Sequence, residues 1–202
     1  LAQELRACGL RRVNISLPTL NAETYNKLTE GRLENAVEGV KAAVAAGFCP
    51  VKLNMVILNG INVDAVPEMM DFAGQTGTIL QLIELDPINV DDAYYSMHHK
   101  FLDDYELMLR QKALNVETRR FMQNRRIYHL PDVTVEVVHP LENRDFCMHC
   151  TRLRVTSNGK LKPCLMRNDN LVELLAPMRG GASDGELKEL FRRANQEREP
   201  YN

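Results

Sequence analysis

A strand–helix–strand–helix–strand pattern in the first 90 residues limits the fold more than anything else in the chain. Residues 12–17 alternate: Val13, Ile15 and Leu17 point one way, Asn14 and Ser16 the other, and Pro18 ends the run. Asn21 precedes a short helix that runs to about Leu28. A longer helix is expected from Leu33 to Ala46, with Leu33, Val37, Val40 and Val44 on its buried face and Gly47 as its stop. Val51–Ile57 reads as a second strand, in which Lys52 and Asn54 share a face among apolar neighbours. Asp64 is a candidate cap for the next helix, with Pro67 in its first turn and Gly74 and Gly77 closing it. Leu80–Leu85 is a third, largely apolar strand, with Glu84 and Asp86 at its C-terminal end. Strands joined by crossover helices form a parallel sheet, and chemistry collects at the C-terminal ends of such strands. Ser16, Glu84 and Asp86 lie toward those ends. Three strands cannot close a barrel, so the segment is an open sheet or part of a barrel.

The chain starts inside a predicted helix, where Leu1, Leu5 and Cys8 mark an apolar stripe and Gly9 the stop. A strand is expected before such a helix, so an N-terminal truncation is expected. After Pro87 the periodicity fades. Residues 88–99 read as loop, Phe101–Lys112 as helix, and Arg125–Leu130 and Val133–Val138 as strands around a Pro-Asp turn. Two C-terminal helices are expected, near Asn170–Leu175 and over Asp184–Arg198, the second capped by Ser183 or Asp184. We place a domain boundary at 90/91, giving domains 1–90 and 91–202. A net charge of −2 gives no global pull toward nucleic acid or an anionic membrane, and no run of about 18 apolar residues is present. Three of the five cysteines cluster, which points to metal ligands in a reducing, cytoplasmic compartment and not to a disulfide framework. Cys8 and Cys49 are isolated and read as core thiols. His98 and His99 read as a solvated pair.

The chemistry concentrates in Cys147-Met148-His149-Cys150-Thr151-Arg152-Leu153-Arg154, with a further cysteine at Cys164. Asn158-Gly159 is a strong hairpin signal. Taken as a two-residue loop, it pairs Ser157 with Lys160, Val155 with Lys162 and Leu153 with Cys164, and brings three thiols together. Pro163 ends the ladder. Thiolates select zinc or iron–sulfur clusters. A closed zinc site needs a fourth ligand, His149 or His139; a four-iron cluster on three cysteines leaves one iron open. Three reduced cysteines in a core is the plainer alternative. Arg152 and Arg154 share a strand face, and between Arg144 and Arg167 six basic residues meet one acid, Asp145. Guanidinium forks suit phosphates; a solvated face with ordinary ion pairs is the other reading.

The run Phe146-Cys-Met-His-Cys-Thr-Arg-Leu-Arg-Val-Thr-Ser-Asn-Gly-Lys-Leu-Lys-Pro-Cys164-Leu165 resembles the cluster motif of the radical SAM GTP 3′,8-cyclases, the molybdenum cofactor biosynthesis protein A family. The resemblance is closest to the archaeal branch and covers the whole chain, through residues 13–17, 50–54 and 80–85. It implies an α/β fold: the C-terminal part of an incomplete (β/α) TIM-type barrel plus an Fe–S-binding extension with a small antiparallel sheet and helices. It implies that Cys147, Cys150 and Cys164 hold a second [4Fe–4S] cluster whose open iron binds guanine. Lys52, Thr151, Arg152 and Arg154 fall at GTP-contact positions. Ser16 and Asp86 fall at positions contacting S-adenosylmethionine (SAM), Asp86 where bacterial members carry Met. Gln81 stands where many bacterial members have a triphosphate-binding Arg. The implied reaction converts GTP to (8S)-3′,8-cyclo-7,8-dihydroguanosine 5′-triphosphate through a 5′-deoxyadenosyl radical. The family's Cys-x-x-x-Cys-x-x-Cys loop, which holds the SAM-cleaving cluster, does not occur in this sequence, so the chain is expected to be the substrate-binding half. The bacterial C-terminal Gly-Gly tail is absent too; Gly180-Gly181 is internal. The implied partners are GTP, a second copy of the chain and a downstream cyclic pyranopterin monophosphate synthase, with neither nucleic acid nor membrane. Two other readings are a zinc-stabilised nucleotide- or RNA-binding module and another radical SAM enzyme with an auxiliary cluster; the Cys-Thr-Arg-Leu-Arg run favours the cyclase.

Overall fold

A computed structural model describes residues 1–88, 90–120, 122–139 and 147–199. Two compact units result: Leu1–Arg119 with Arg125–His139, and Arg120–Asn124 with Pro140–Asn202.

In the first unit, β1 (Val13–Ser16), β2 (Val51–Ile57) and β3 (Ile79–Glu84) lie side by side in parallel, as the periodicity predicts. The sheet does not stop near residue 90. β6 (Thr134–Val138) pairs in parallel with β3, and β5 (Arg125–His129) and β4 (Asn115–Arg119) extend it antiparallel, in the order β1-β2-β3-β6-β5-β4. The compact units therefore divide beyond residue 90, and a 90/91 boundary would cut this sheet. β4 left no trace in the sequence because four of its five residues are exposed and carry no apolar alternation.

Helices α1 (Ala2–Ala7), α2 (Ala22–Thr29), α3 (Leu33–Ala45) and α4 (Val66–Thr76) follow the predicted order. Asn21 caps α2 by accepting from Thr24 N at 2.9 Å. The expected stripe of α1 is not buried: Leu1, Leu5 and Cys8 are exposed, and the helix packs through Ala2 against Ala43, Phe48 and Val51. Cys8 and Cys49 are both exposed, next to the turns at Gly9 and Pro50, which corrects the core-thiol reading. In α3 the buried face runs through Val40 and Ala43, which turns Val44 outward. Asp64 does not cap α4; it lies in a 3-10 turn (Val63–Ala65). Asn62 organises that connection instead, donating to Pro18 O and Val56 O and accepting from Leu58 N. Gly74 is required by packing, since a Cβ there would meet Asp132 O at 2.6 Å. Residues 88–99 are not all loop: α5 (Asp92–His98) starts at Asp91, whose side chain accepts from Tyr94 N at 2.7 Å. α6 (Asp103–Lys112) follows.

In the second unit, β7 (Arg154–Val155), β8 (Lys160–Lys162) and β9 (Val172–Glu173) form a small antiparallel sheet. The helix expected near 170–175 is instead β9 followed by α7 (Leu175–Arg179), because Val172 pairs with Leu161 and is buried. The last helix, α8 (Asp184–Gln196), begins with a capping box between Ser183 and Glu186. Its Ala194 and Leu190 pack with Leu161, Val172, Leu153 and Leu174. The fold class is the predicted α/β, with a parallel sheet, a separate small antiparallel sheet and helices. No helix among the described residues is long and apolar enough to cross a membrane.

Candidate functional site

Strands β2, β3 and β6 of the large sheet alternate between the core and the opposite, inner face. Leu53, Met55, Leu80, Leu82, Val135 and Val137 enter the core. The intervening residues form a polar row, Ser16–Asn54–Gln81–Glu136, directly in register across β1, β2, β3 and β6. Lys52, two residues before Asn54, shares that face. Its ammonium pairs with the fully buried carboxylate of Glu136. Arg119 Nη1 and Arg125 Nη1 stand 3.8 and 3.6 Å from the same carboxylate. Burial lowers the Lys52 pKa most; Glu136 opposes this, while Arg119 and Arg125 add to it. Lys52, expected at a nucleotide contact, is thus held in a preformed charge cluster. Sequence reasoning missed Glu136, Arg119 and Arg125. A lone carboxylate inside Thr-Val-Glu-Val-Val, like a lone lysine inside Val-Lys-Leu-Asn-Met, was the available signal.

Ser16 lines a cavity of about 450 Å³ beyond the C-terminal ends of the parallel strands, with Val56, Leu58, Leu85 and Tyr94. Asp86 does not line it; its Oδ1 accepts from Ile88 N at 3.0 Å and fixes the turn after β3. The other acid at this end, Glu84, is buried. It accepts from His99 Nε2 at 2.7 Å and His139 Nδ1 at 3.0 Å. His99 is therefore no solvated residue, and His139, weighed as a zinc ligand, is engaged by carboxylates. His98 is half-buried, with Nδ1 2.9 Å from Asn59 O. Glu106 stands 3.7 Å from His139 Nε2, and accepts from Tyr128 and Arg126 at 2.9 Å each. Burial opposes the charge of His139, but hydrogen bonds and charges from Glu106 and Glu84 outweigh it and raise the pKa to about 9.

In the second unit the hairpin is one residue out of the predicted register. Arg154 pairs with Lys162 and Val155 with Leu161. Thr156 N donates to Lys160 O at 2.9 Å, so the loop has three residues, Ser157 to Gly159. Leu153 and Leu161 face the helix, and Arg154 and Lys162 share the opposite face, with Arg152 two positions on. Neither Arg152 nor Arg154 has a carboxylate partner among the described residues, so the reading of ordinary ion pairs gains no support. Arg144, Asp145 and Phe146 lie outside the described residues.

Cys147, Cys150 and Cys164 are free, half-buried thiols. Cys150 N donates to Cys147 O at 3.1 Å, and Cys150 Sγ accepts from Gln123 Nε2 at 3.5 Å. Among the described residues, no three His, Cys, Asp or Glu side chains gather closely enough to hold a metal ion. As a donor set, three reduced thiols on one short segment and its hairpin partner fit a thiolate-ligated group. Arg198 reaches from the end of α8 to the carbonyls of Cys150 and Arg152, the second at 2.7 Å, and so braces the backbone on both sides of Thr151. Arg198→Met is expected to raise amide hydrogen exchange over residues 150–154 at least tenfold, about 1.4 kcal/mol of lost protection, while Leu161 and Val172 stay protected. Unchanged exchange at 150–154 would remove this bracing role.

Two family models and a set of relatives match this chain. A model of the Radical SAM superfamily matches residues 1–73, and a model of Molybdenum Cofactor Synthesis C matches residues 78–202. Across its full length the chain is 45% identical to a probable GTP 3′,8-cyclase of Methanothermobacter marburgensis and 42% identical to one of Methanocaldococcus jannaschii. A third, from Pyrococcus horikoshii, is 44% identical, also over the full chain. The chain spans 66%, 65% and 66% of these three relatives, just under two thirds of each.

Proposed function

Since this chain belongs to the GTP 3′,8-cyclase family of radical SAM proteins, we propose that it is the part of such an enzyme that binds GTP beside a substrate-holding iron–sulfur cluster. Molybdenum cofactor biosynthesis is the process that the family supports. The observation that carries the finer reading is the basic face of the small sheet. Arg154 and Lys162 stand opposite one another, Arg152 follows on the same face, and three free thiols flank them in one unit.

On this reading Cys147, Cys150 and Cys164 hold a [4Fe–4S] cluster. When bound, the cluster supplies an iron with an open position that can take a ring atom of the base. Arg152 and Arg154 offer planar forks to phosphate oxygens, and Thr151 between the braced carbonyls adds a hydroxyl at the same edge. Lys52 presents its ammonium from the inner face of the large sheet, where Glu136 keeps it from swinging free. Ser16, at the mouth of the cavity beyond the parallel strands, and Asp86, through the turn it fixes, would serve SAM. The task of the groups in each unit is to hold a highly charged ligand in one conformation, and correct placement supplies much of the rate in such reactions. A homodimer, and a cyclic pyranopterin monophosphate synthase that consumes the product, go with this reading. The sequence has no Cys-x-x-x-Cys-x-x-Cys motif, so the chain alone is expected to bind GTP without turning over SAM.

Anaerobic purification tests the cluster. The expected product is brown, with about four iron and four sulfide per chain, and Cys164→Ala loses most of both. One zinc with no visible absorbance would sink the cluster and favour a zinc-stabilised module.

A further inference from the structure

Helix α5 borders the cavity beyond the parallel strands without belonging to the core. It has seven residues and none of them is buried; a helix of that length has little stability of its own. Its last turn is tied to the body of the unit. Asn59 N donates to His98 O at 2.8 Å, and His98 Nδ1 donates back to Asn59 O at 2.9 Å. One residue on, His99 Nε2 donates to the Glu84 carboxylate at 2.7 Å, and its ring lies against Tyr95 and Phe101, with centroids 4.8 and 4.7 Å away. The other end carries the cavity wall. Val90, Asp91 and Tyr94 line the cavity together with Ser16. Among the described residues Asp91 accepts from Tyr94 N of its own helix and pairs with no cation. The Tyr94 ring packs on His98, four positions along the same helix, with centroids 4.4 Å apart. One end of α5 is thus tied to the sheet, and the end that faces the cavity is held through the helix itself.

We propose that α5 is a lid for this cavity: it pivots on the Asn59–His98 and Glu84–His99 ties and brings Tyr94 and Val90 onto a ligand held beside Ser16. The inference rests on the reading that Ser16 serves SAM, and it adds a conformational step to that reading. Both pivot points are fixed. Glu84 is buried and its other oxygen accepts from His139, so it does not travel with the helix. Asn59 follows Leu58, whose N–H is held by the buried Asn62 side chain. Moving α5 takes no buried residue out of the core, so opening costs little, as is usual for segments that close over ligands. The walls that it closes on, Val56, Leu58 and Leu85, are apolar, and an apolar wall brought down on a ligand excludes water from it. His98 and His99 are positioning residues in this scheme; Tyr94 is the side chain that meets the ligand.

The test is site-resolved amide hydrogen exchange of the full chain, with and without SAM, on wild type and His99→Phe. The variant keeps a ring against Tyr95 and Phe101 and removes the bond to Glu84, which retains His139. Without ligand, the Tyr95 and Ser96 amides of wild type are expected to exchange at least a hundredfold faster than those of Leu53 and Leu82; equal protection would make α5 a fixed wall and overturn the lid. In ligand-free His99→Phe, the amides of Asn59, Tyr95 and Ser96 are expected to speed up together by one common factor, because one pivot carries them all. A rise at Asn59 alone overturns the lid. SAM is expected to slow Tyr95 and Ser96 at least tenfold in wild type and to bind His99→Phe about tenfold more weakly, the weight of one hydrogen bond to a charged group. Binding without slowing, or an unchanged affinity in the variant, reduces the tie to a structural one and overturns the lid. If wild type binds no SAM, the SAM reading of Ser16 falls, and the lid stands or falls on the common factor.

Discussion

Glu136→Gln is expected to destabilise the large-sheet unit by roughly 3–5 kcal/mol, the cost of breaking a buried ion pair from one side. Glutamine keeps the size and one carbonyl acceptor, so the loss comes from charge and not from a cavity. What remains is Lys52, with 7% exposure, beside Arg119 and Arg125 and without the carboxylate that all three approach. Since a domain of this kind has only about 5–15 kcal/mol of total stability, the variant should show a much lower urea midpoint with an unchanged slope. Lys52→Met combined with Glu136→Gln should recover a large part of the loss, because the second change removes the stranded cation. Non-additivity of 1–3 kcal/mol is the size expected for groups in direct contact. A single-variant cost under about 1 kcal/mol, or strictly additive variants, would mean that water screens the cluster and that burial overstates its isolation.

The outcome bears on how much of this protein can be read from its sequence. Val51–Ile57 matches its predicted limits to the residue, and β1 keeps its predicted facing, because both signals are local: apolar residues two apart on a pleated strand. The Asn21 and Ser183 caps are legible for the same reason. The hairpin register fails by one residue. A two-residue turn of the Asn-Gly type needs positive φ at both central residues, and here Gly159 has it at +77° while Asn158 does not. Gly159 is fixed further by Leu175, whose Cβ would lie 2.4 Å from an added Cβ. A contact sixteen residues away thus bears on the loop, and a one-residue slip changes the partner of each residue in the hairpin ladder. The charge networks are beyond local reading altogether. Lys52 and Glu136 are 84 positions apart, Glu84 and His139 are 55 apart, and Arg198 braces carbonyls 46 and 48 positions back. The cysteines and arginines of the candidate site could be named from their spacing; the groups that hold the neighbouring segments in place could not.

The network at the end of β3 makes stability depend on pH, with a sign that can be worked out in advance. His139 has a folded-state pKa of about 9 against an ordinary 6.5. A histidine with a raised folded pKa stabilises most where it is charged in both states, and loses that contribution as pH climbs through the folded value. The contribution is therefore complete below about pH 6.5, shrinks between 6.5 and 9, and is gone above that. Its full size is on the order of 2–3 kcal/mol. Among the described residues, the carboxylates facing His139 are Glu84 from β3 and Glu106 from α6. Arg126 and Tyr128 bear on Glu106, and His99 shares Glu84. Glu106 acts at the other end of the pH scale: burial raises its pKa, but His139, Tyr128 and Arg126 together bring it below the ordinary carboxylate value, so its contribution is present near neutrality and is lost as pH falls. His139→Gln isolates the effect, because comparing wild type with variant cancels every other titration. Urea unfolding at pH 6 should find the variant less stable by about 2–3 kcal/mol, and at pH 9.5 by less than about 1 kcal/mol. A gap that stays constant across this range would show that His139 takes up its proton alike in the folded and unfolded protein, so that Glu84 and Glu106 do not favour its charge. A gap that closes fixes His139 as the cation that holds the end of β6 against β3 and α6.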